Sequence, residues 1–318
     1  MRASLLPRLF LIPVLLAALA GCDTTAGFGS GSASQFPRDV APPEPVVTEP
    51  SAATRAARDY YARVEANYFA QDLLRADGGG SDTPFTARDL AENFIRIAFY
   101  DEFAERDGQL IQQSVENRLH RWQEPIRLDV EFGSSIPADQ RARDRAEIAA
   151  YVMRLSSLTG LPMRMSGWRP NHSVLILNSD ERKTAAARIA ALAPATGAAA
   201  IRSVTDMAPE TYCTVFSFTP GRTATYTRAI TVIRGELPER MRLACIHEEL
   251  AQSLGLVADY PRARPSIFND NEEFALLTRQ DEMMLKMLYD PRLRPGMTLN
   301  EARPIVEVMA AELAGGES

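Results

Sequence analysis

Residues 245–261 read CIHEELAQSLGLVADYP, and this stretch decides how the rest of the chain is interpreted. The pattern predicts the end of a helix over 238–254, followed by a turn at Gly255. Glu248 and Gln252 are four residues apart, so a helix places them on the same face. The sequence therefore predicts a polar group of side chains at the end of one helix.

Carboxylates are frequent in this helix, in the loop that follows it and in the next helix. The five of interest are Glu248, Glu249, Asp259, Asp270 and Asp281. Such a group is suited to holding a hard cation or to acid–base work by a pair of carboxyls. The alternative for the helix positions is an ordinary polar face exposed to solvent.

The chain is predicted to be helical after this loop. Helices are expected over 278–289 and 299–314. Thr278 with Asp281, and Thr298 with Glu301, match the capping-box pattern at the two helix starts.

Upstream, short apolar strands alternate with helices, which predicts a mixed α/β (α+β) fold. The predicted strands are IRLDVEF (126–132), LPMRMSG (161–167), SVLILN (173–178), TVFSFT (214–219) and AITVIRG (229–235). The intervening helices are expected over 139–158, ending at Gly160, and over about 180–193, with Ser179 or Asp180 as the cap.

The region before the strands is predicted to be helical. Apolar spacing indicates one helix over 53–76 and a second over about 86–120, broken near Asp107-Gly108. We therefore expect an N-terminal helical region over 53–119.

The first residues carry an export signal. Arg2 and Arg8 precede an apolar stretch that is too short to remain as a membrane helix. The stretch ends in LAGC, which matches the lipobox cleaved before an acylated cysteine and indicates a signal peptide over 1–21 with lipidation at Cys22. The alternative is an ordinary secretory signal with a chance cysteine. Residues 22–52 are rich in Gly, Ser and Pro, a composition typical of a flexible tether.

Two cysteines remain after Cys22, namely Cys213 and Cys245. Export would place them in an oxidising compartment, where an even number of cysteines favours a disulfide. The alternative is two buried thiols.

The stretch 245–261, with PSIFND at 265–270 and TRQDEMMLKMLY at 278–289, resembles the metzincin zinc proteases, and within them the matrixin-like branch. Those proteases carry HExxHxxGxxH on a helix, a methionine-containing turn and a closing helix. Two histidines one helical turn apart bind zinc, and the glutamate between them polarises the metal-bound water. The resemblance implies a metzincin-like domain over 120–290, with a mixed sheet, an active-site-type helix and a closing helix. Residues 291–318 would form a helical extension.

Alignment on the glycine at Gly255 puts Glu249 at the catalytic glutamate, so Glu249 is the catalytic residue if the domain has one. Glu248 and Gln252 fall where the family has its two helix histidines. A carboxylate and an amide are poor zinc ligands. We therefore expect a degenerate site without metal or cofactor.

The remaining family positions have also changed. The third-ligand position falls on Ala258, next to Asp259. Ser266 and Phe268 fall at the methionine turn, with Phe268 in place of the methionine. His247 begins a literal His-Glu pair, but the fifth residue in that register is Ala251, so His247 is interpreted as a surface or supporting histidine.

The mature chain also resembles a family of alphaproteobacterial lipoproteins with no assigned function. The recognisable blocks are EELAQSLGL, PSIFND and LYDPRLRPGM. The net charge of −6 and a pI of about 5.3 argue against a nucleic-acid partner.

These observations lead to three functional hypotheses. The first is a lipid-anchored envelope protein, facing the periplasm from the inner or outer membrane, whose inactive cleft binds an envelope protein or peptide. Such a peptide would add to an edge strand such as AITVIRG. The second is a hydrolase with atypical metal or carboxylate-based chemistry in the same cleft. The third is a structural envelope component that makes its contacts through the N-terminal helices.

Overall fold

The computed structural model describes residues 48–106 and 109–315. These residues belong to one compact unit with mixed α/β architecture, as the sequence predicts. The expected signal peptide, Cys22 and nearly all of the expected tether lie outside the described residues. Within the described ranges, no helix has the length and apolar character needed to cross a bilayer.

Helices and strands alternate through the middle of the described chain, and helices dominate its end. The helices are α1 (Ala52–Phe69), α2 (Ala87–Ala98), α3 (Ala138–Thr159), α4 (Ser179–Lys183), α5 (Ala186–Leu192), α6 (Ala198–Thr205), α7 (Glu239–Gln252), α8 (Arg279–Tyr289) and α9 (Leu299–Gly315). The strands are β1 (Tyr100–Arg106), β2 (Gln109–Glu116), β3 (Arg121–Trp122), β4 (Ile126–Phe132), β5 (Met163–Met165), β6 (His172–Leu177), β7 (Cys213–Phe218), β8 (Thr225–Tyr226) and β9 (Arg228–Arg234).

The main sheet has five strands in the order β5-β4-β6-β9-β7. β5, β4, β6 and β9 are parallel, and β7 joins β9 antiparallel at one edge. The expectation that AITVIRG is an edge strand is therefore wrong, because β9 pairs with β6 on one side and β7 on the other. Its unbroken apolar run is typical of a strand that is covered on both faces.

Both faces of the sheet are packed. On one face, Val174 and Ile176 of β6 belong to the main core, which includes side chains of α3 and α7. On the other face, Leu175 and Val232 belong to a smaller core that includes α5 and α6. Side chains alternate between the faces of a strand, so two apolar layers require the continuous apolar sequences of β6 and β9.

The N-terminal region differs from its prediction as helix over 53–119. It is helical in α1 and α2, but Tyr100–Arg106 and Gln109–Glu116 form the antiparallel pair β1–β2. These strands flank Asp107-Gly108, which lie outside the described residues. An Asp-Gly dipeptide between two alternating segments is a strong hairpin signal, and it was interpreted as a helix break. α2 is part of the same unit as the sheet, since Leu90 and Phe94 are fully buried in the main core.

The helix expected over 180–193 is divided into α4 and α5. Its cap is Asn178, in a capping box with Glu181, and neither Ser179 nor Asp180 is the cap. The Ala-rich helix α6 was missed. The expected capping boxes at Thr278 and Thr298 are present, each with an acidic partner three residues later.

Candidate functional site

The end of α7 carries the polar residues that the sequence singled out. Glu249 and Gln252 are only 5% and 8% exposed, whereas Glu248 is half-buried. The alternative of a solvent-exposed polar face is therefore wrong for Glu249 and Gln252. Burying such groups costs free energy unless they gain partners, so their position needs a reason beyond solubility.

The chain turns sharply after α7 at Gly255. This residue has a φ of +125°, and a Cβ atom there would lie 2.2 Å from the carbonyl oxygen of His120. Only glycine fits both the backbone conformation and the close approach. The turn brings Asp259 back to the helix, where its Oδ1 accepts a hydrogen bond of 3.3 Å from Nε2 of Gln252. Ala258, at the expected third-ligand position, is buried.

Two aromatic side chains fix the turn from the other side. The indole Nε1 of Trp122 donates to the carbonyl of Ser253 at 2.8 Å. The hydroxyl of Tyr289, at the end of α8, donates to the carbonyl of Leu254 at 3.0 Å. These bonds satisfy carbonyls that the end of a helix leaves without a partner in its own backbone.

The segment at the expected methionine turn is buried against α8. Phe268 is fully buried, and Ser266 donates to Oδ1 of Asp281 at 2.6 Å. Oδ2 of the same carboxylate accepts from the backbone of Ile267 and from the backbone and hydroxyl of Thr278. Asp281 therefore joins the turn to the start of α8. Its oxygens are engaged in this role, and it does not join the other carboxylates.

The remaining carboxylates do act on one another. Burial raises the pKa of Glu248 well above its ordinary value, and the charges of Asp259, Glu249, Glu272 and Asp270 raise it further. Burial, with the charge of Asp270, raises the pKa of Glu272 to about 7. The site is an acidic cluster in which burial and like charges favour the protonated forms of Glu248 and Glu272.

Glu272 was not among the residues named from the sequence, and neither was a tyrosine pair beside it. The hydroxyls of Tyr68 in α1 and Tyr212 before β7 are 2.9 Å apart. Burial raises the pKa of both phenols, and the charge of Glu272 adds to the effect. No local motif marks these residues, because they meet only where α1 packs against the segment before β7.

His247 is a core residue, so the surface interpretation is wrong. Its ring stacks on Tyr151 with centroids 4.0 Å apart, and its Nδ1 accepts from the backbone of Leu277 at 3.0 Å. Burial, and secondarily the charge of Arg154, lowers its pKa to about 3. A neutral ring held in this way supports the loop before α8.

A disulfide between Cys213 and Cys245 joins the first residue of β7 to α7, as the sequence predicts. Residues three, four and seven positions after Cys245 share its face of the helix. Those residues are Glu248, Glu249 and Gln252. β7 therefore begins beside the polar face of α7, and Ser217 near its other end contacts the carbonyl of Ser253 through Oγ at 3.4 Å.

The outer side of β7 offers backbone hydrogen bonds. Arg234 donates to the carbonyl of Tyr212 at 3.2 Å, which fixes these two as a directly bonded pair of the β7–β9 ladder. In an antiparallel ladder the bonded residues alternate, so the backbone groups of Cys213, Val215 and Ser217 point away from β9. Among the described residues, none bonds to those groups. We call β7 and the polar face of α7, with Asp259, the α7–β7 site.

The α7–β7 site lacks a ready-made metal centre. In the part of the chain that the structure describes, no three His, Cys, Asp or Glu side chains converge closely enough to hold a metal ion. A cavity of about 780 Å³ lies elsewhere, lined by residues that include Leu74, Arg75 and Arg240. The structure thus brings Glu248, Glu249, Gln252 and Asp259 together, without the convergence that coordination requires.

The comparisons with known proteins point to one family. The family described as "Protein of unknown function (DUF2927)" matches residues 87–308, which is more than half of the chain. The matched span runs from the start of α2 into α9, and it contains the whole α7–β7 site. No curated protein matches the chain.

Proposed function

The chain belongs to the DUF2927 family, and from that premise we propose that it is a lipid-anchored envelope protein whose α7–β7 site binds an extended peptide without cleaving it. The partner is a segment of another envelope protein or a free peptide. The membrane anchor rests on the lipobox at Cys22, and the proposed location is the periplasmic side of the inner or outer membrane.

The observation that carries the proposal is the open side of β7. Its outward N–H and C=O groups at Cys213, Val215 and Ser217 match the spacing of an added strand, and β-strand addition is a common way to bind extended peptides. The disulfide to α7 fixes one end of this strand. An added peptide would run beside the polar face of α7, whose acidic residues favour a peptide with basic side chains.

The metzincin resemblance supports the same use of the site. The implied parts are present in the implied order, namely the helix α7, the turn at Gly255, the buried turn at Ser266–Phe268 and the closing helix α8. We propose that this domain is a metzincin-like fold that keeps a peptide-binding edge and has lost its metal.

The lack of catalysis is proposed from the donor set. At the two positions where the resemblance implies imidazoles, this chain has a carboxylate and an amide, Glu248 and Gln252. The amide already bonds to Asp259. Zinc bound by three neutral imidazoles activates water, whereas this arrangement offers one amide and crowded carboxyls.

Selection from a phage-displayed library of random peptides tests the proposal. We expect enriched basic peptides that bind the purified protein. Val215→Pro should raise their Kd by up to about tenfold, since proline lacks the N–H that donates to the added strand. The N–H of Val215 points away from β9, so the substitution leaves the internal ladder intact. Val215→Ala is the matched control and should bind as the wild type does.

Two results would overturn this function. Equal binding by wild type and Val215→Pro, with both folded by circular dichroism, would exclude strand addition on β7. Stoichiometric zinc in the purified protein, together with peptide cleavage, would exclude a non-catalytic site.

One observation favours a second candidate, a carboxylate-based hydrolase. Glu248 and Glu272 have raised pKa values in one cluster, and a carboxyl with a pKa near 7 is suited to general acid–base catalysis. Mass spectrometry of a peptide mixture incubated with wild type and with Glu248→Gln tests this candidate. Cleavage that requires Glu248 and falls away on both sides of neutral pH would favour it.

A further inference from the structure

A second surface lies around the loop of residues 166–171, which runs from β5, the edge strand opposite β7, to the central strand β6. Its most prominent residue is Trp168, which is 77% exposed. The loop is ordered by its own hydrogen bonds. Oγ of Ser166 accepts from the backbone of Trp168, and Asn171 accepts from the backbone of Arg127 at 2.6 Å and donates to Pro125. An indole ring is therefore held out into solvent by a fixed backbone.

Four arginines lie in this loop or on the strands beside it. Arg127, Arg169 and Arg228 line a cavity of about 500 Å³ that also contains Glu124 and Asn171. Arg164 lies on β5 directly opposite Arg127 in the parallel pair β4–β5. We call Trp168 and these four arginines the Trp–Arg patch.

The arginines of the Trp–Arg patch form no ion pair with the described residues. Among the residues that the structure describes, none places a carboxylate oxygen within 4.0 Å of their guanidinium nitrogens. Like charges opposite each other on neighbouring strands repel, as Arg127 and Arg164 do here. An external anion would relieve this repulsion.

The rest of the molecule makes the patch distinctive. The chain as a whole has a net charge of −6, so a cationic surface is concentrated against an acidic background. An anionic surface would repel most of the protein and attract this side of it, which gives a defined orientation. The ligand chemistry is therefore an array of anions beside an apolar layer.

We propose that the Trp–Arg patch docks on the anionic headgroups of a phospholipid bilayer, with the ring of Trp168 at the level of the headgroups. Indole rings favour the boundary between water and hydrocarbon, and arginines bind lipid phosphates. The Trp–Arg patch has one projecting aromatic ring and several arginines, which suits a bilayer. An interface with a protein partner needs a broader, packed apolar centre. The proposal is independent of peptide binding and does not require the acyl anchor.

The protein contains its own reporter for this contact. It has two tryptophans, and Trp122 is 1% exposed and bonded to Ser253. A change in tryptophan emission on adding vesicles therefore reports on Trp168. We expect vesicles of phosphatidylcholine with phosphatidylglycerol to shift the emission of the full chain to the blue, and brominated acyl chains to quench it. Pure phosphatidylcholine should do neither.

Charge variants measure the arginine contribution. Arg164→Gln with Arg228→Gln should lower the partition coefficient onto anionic vesicles about 25-fold, at about fivefold for each arginine. Neither side chain makes a hydrogen bond to another described residue, so the fold is preserved. The matched control is Arg88→Gln with Arg262→Gln, two exposed arginines outside the patch, which makes the same change in net charge and should leave partitioning unchanged.

Three outcomes would overturn docking on lipid. The first is the same blue shift with inorganic phosphate alone, which would identify a phosphate site. The second is an equal loss of partitioning in the control variant, which would indicate a non-specific charge effect. The third is no difference between anionic and neutral vesicles. Co-flotation with neutral vesicles is a separate readout that reports on the acyl anchor, so the two proposals fail independently.

Discussion

Two groups of carboxyls, one fully buried and one half-buried, lie within one region of the fold, and they are held in opposite ways. Asp281 is fully buried and accepts four hydrogen bonds, from Ser266, Ile267 and twice from Thr278. Glu248 and Glu272 accept no side-chain hydrogen bond from the described residues, and each is surrounded by further acids. Burial raises the pKa of Asp281 to about 6, so it is charged at neutral pH, whereas burial and the neighbouring acids raise the pKa of Glu248 well above its ordinary value.

The difference teaches how to separate structural from functional carboxyls. A carboxylate whose oxygens are all engaged stabilises the fold and has nothing to offer a ligand. A carboxyl held among like charges destabilises the fold, and such a cost persists where it serves binding or chemistry. Both groups are removed from water to some extent. The neighbouring groups, which are hydrogen-bond donors in one case and further acids in the other, distinguish them.

The largest effect is expected from removing Asp281. Asp281→Ala leaves the hydroxyl of Ser266 and the backbone N–H groups of Ile267 and Thr278 without an acceptor, whereas the hydroxyl of Thr278 can still donate to the carbonyl of Pro265. We expect the free energy of unfolding to fall by about 3 kcal/mol or more. Urea denaturation followed by circular dichroism measures this change. A loss below about 1 kcal/mol would contradict the structural role of Asp281.

Asp281→Asn sharpens the same test. An amide can keep its oxygen at the Oδ2 position, where three donors converge, and turn its nitrogen toward the hydroxyl of Ser266. We therefore expect Asn to retain most of the stability, with a loss of about 1 kcal/mol. If Asn were as damaging as Ala, the negative charge itself would be the essential feature.

Glu248→Gln is expected to raise the free energy of unfolding, whereas the Asp281 variants lower it. The amide carries no charge, so it avoids the cost that burial and the charges of Asp259, Glu249 and Glu272 impose on the ionised carboxyl. The free energy of unfolding at pH 8 should therefore be about 1 kcal/mol higher than in the wild type. Glu239→Gln, in the exposed first turn of the same helix, is the matched control for net charge and should have little effect. A destabilised Glu248→Gln variant would show that Glu248 is engaged in the way Asp281 is.

The smallest effect is the pH dependence due to Glu272. Its pKa of about 7 in the folded protein lies above the ordinary value of 4.5, so the folded state holds the proton more tightly. The associated stability is present below about pH 4.5 and is lost as the pH rises through 7. Because the side chain is partly solvated, we expect a change below about 1 kcal/mol between pH 5.5 and 8.5. Thermal unfolding should give a Tm that falls less with pH in Glu272→Gln than in the wild type.

Much of the main sheet and the C-terminal helices could be predicted from local pattern. Alternating or continuous apolar sequences predicted the strands β4, β6, β7 and β9. Capping boxes predicted the starts of α8 and α9. The order of the strands could not be predicted, and β9 was mistaken for an edge. Strand order depends on contacts between residues far apart in the chain, which periodicity does not encode.

The part of the candidate site that lies on α7 and in the turn at Gly255 could be predicted from the sequence. Spacing along α7 correctly grouped Glu248 and Gln252, and Gly255 returned the chain to them. Asp281 was grouped with these acids on proximity in sequence, although its capping box had already assigned its oxygens. Glu272 and the Tyr68–Tyr212 pair were missed because they join the site only through tertiary packing.

The turn at Gly255 has a consequence for how this protein can change over time. Gly255 fits the turn because it has no side chain, and hydrogen bonds from Trp122 and Tyr289 to the neighbouring carbonyls hold the backbone. None of these three residues lies on the face of α7 that is turned toward β7. Substitutions on that face can therefore alter its chemistry without changing the backbone of the turn. Side chains on that face can be exchanged one at a time while the shape of the turn is kept.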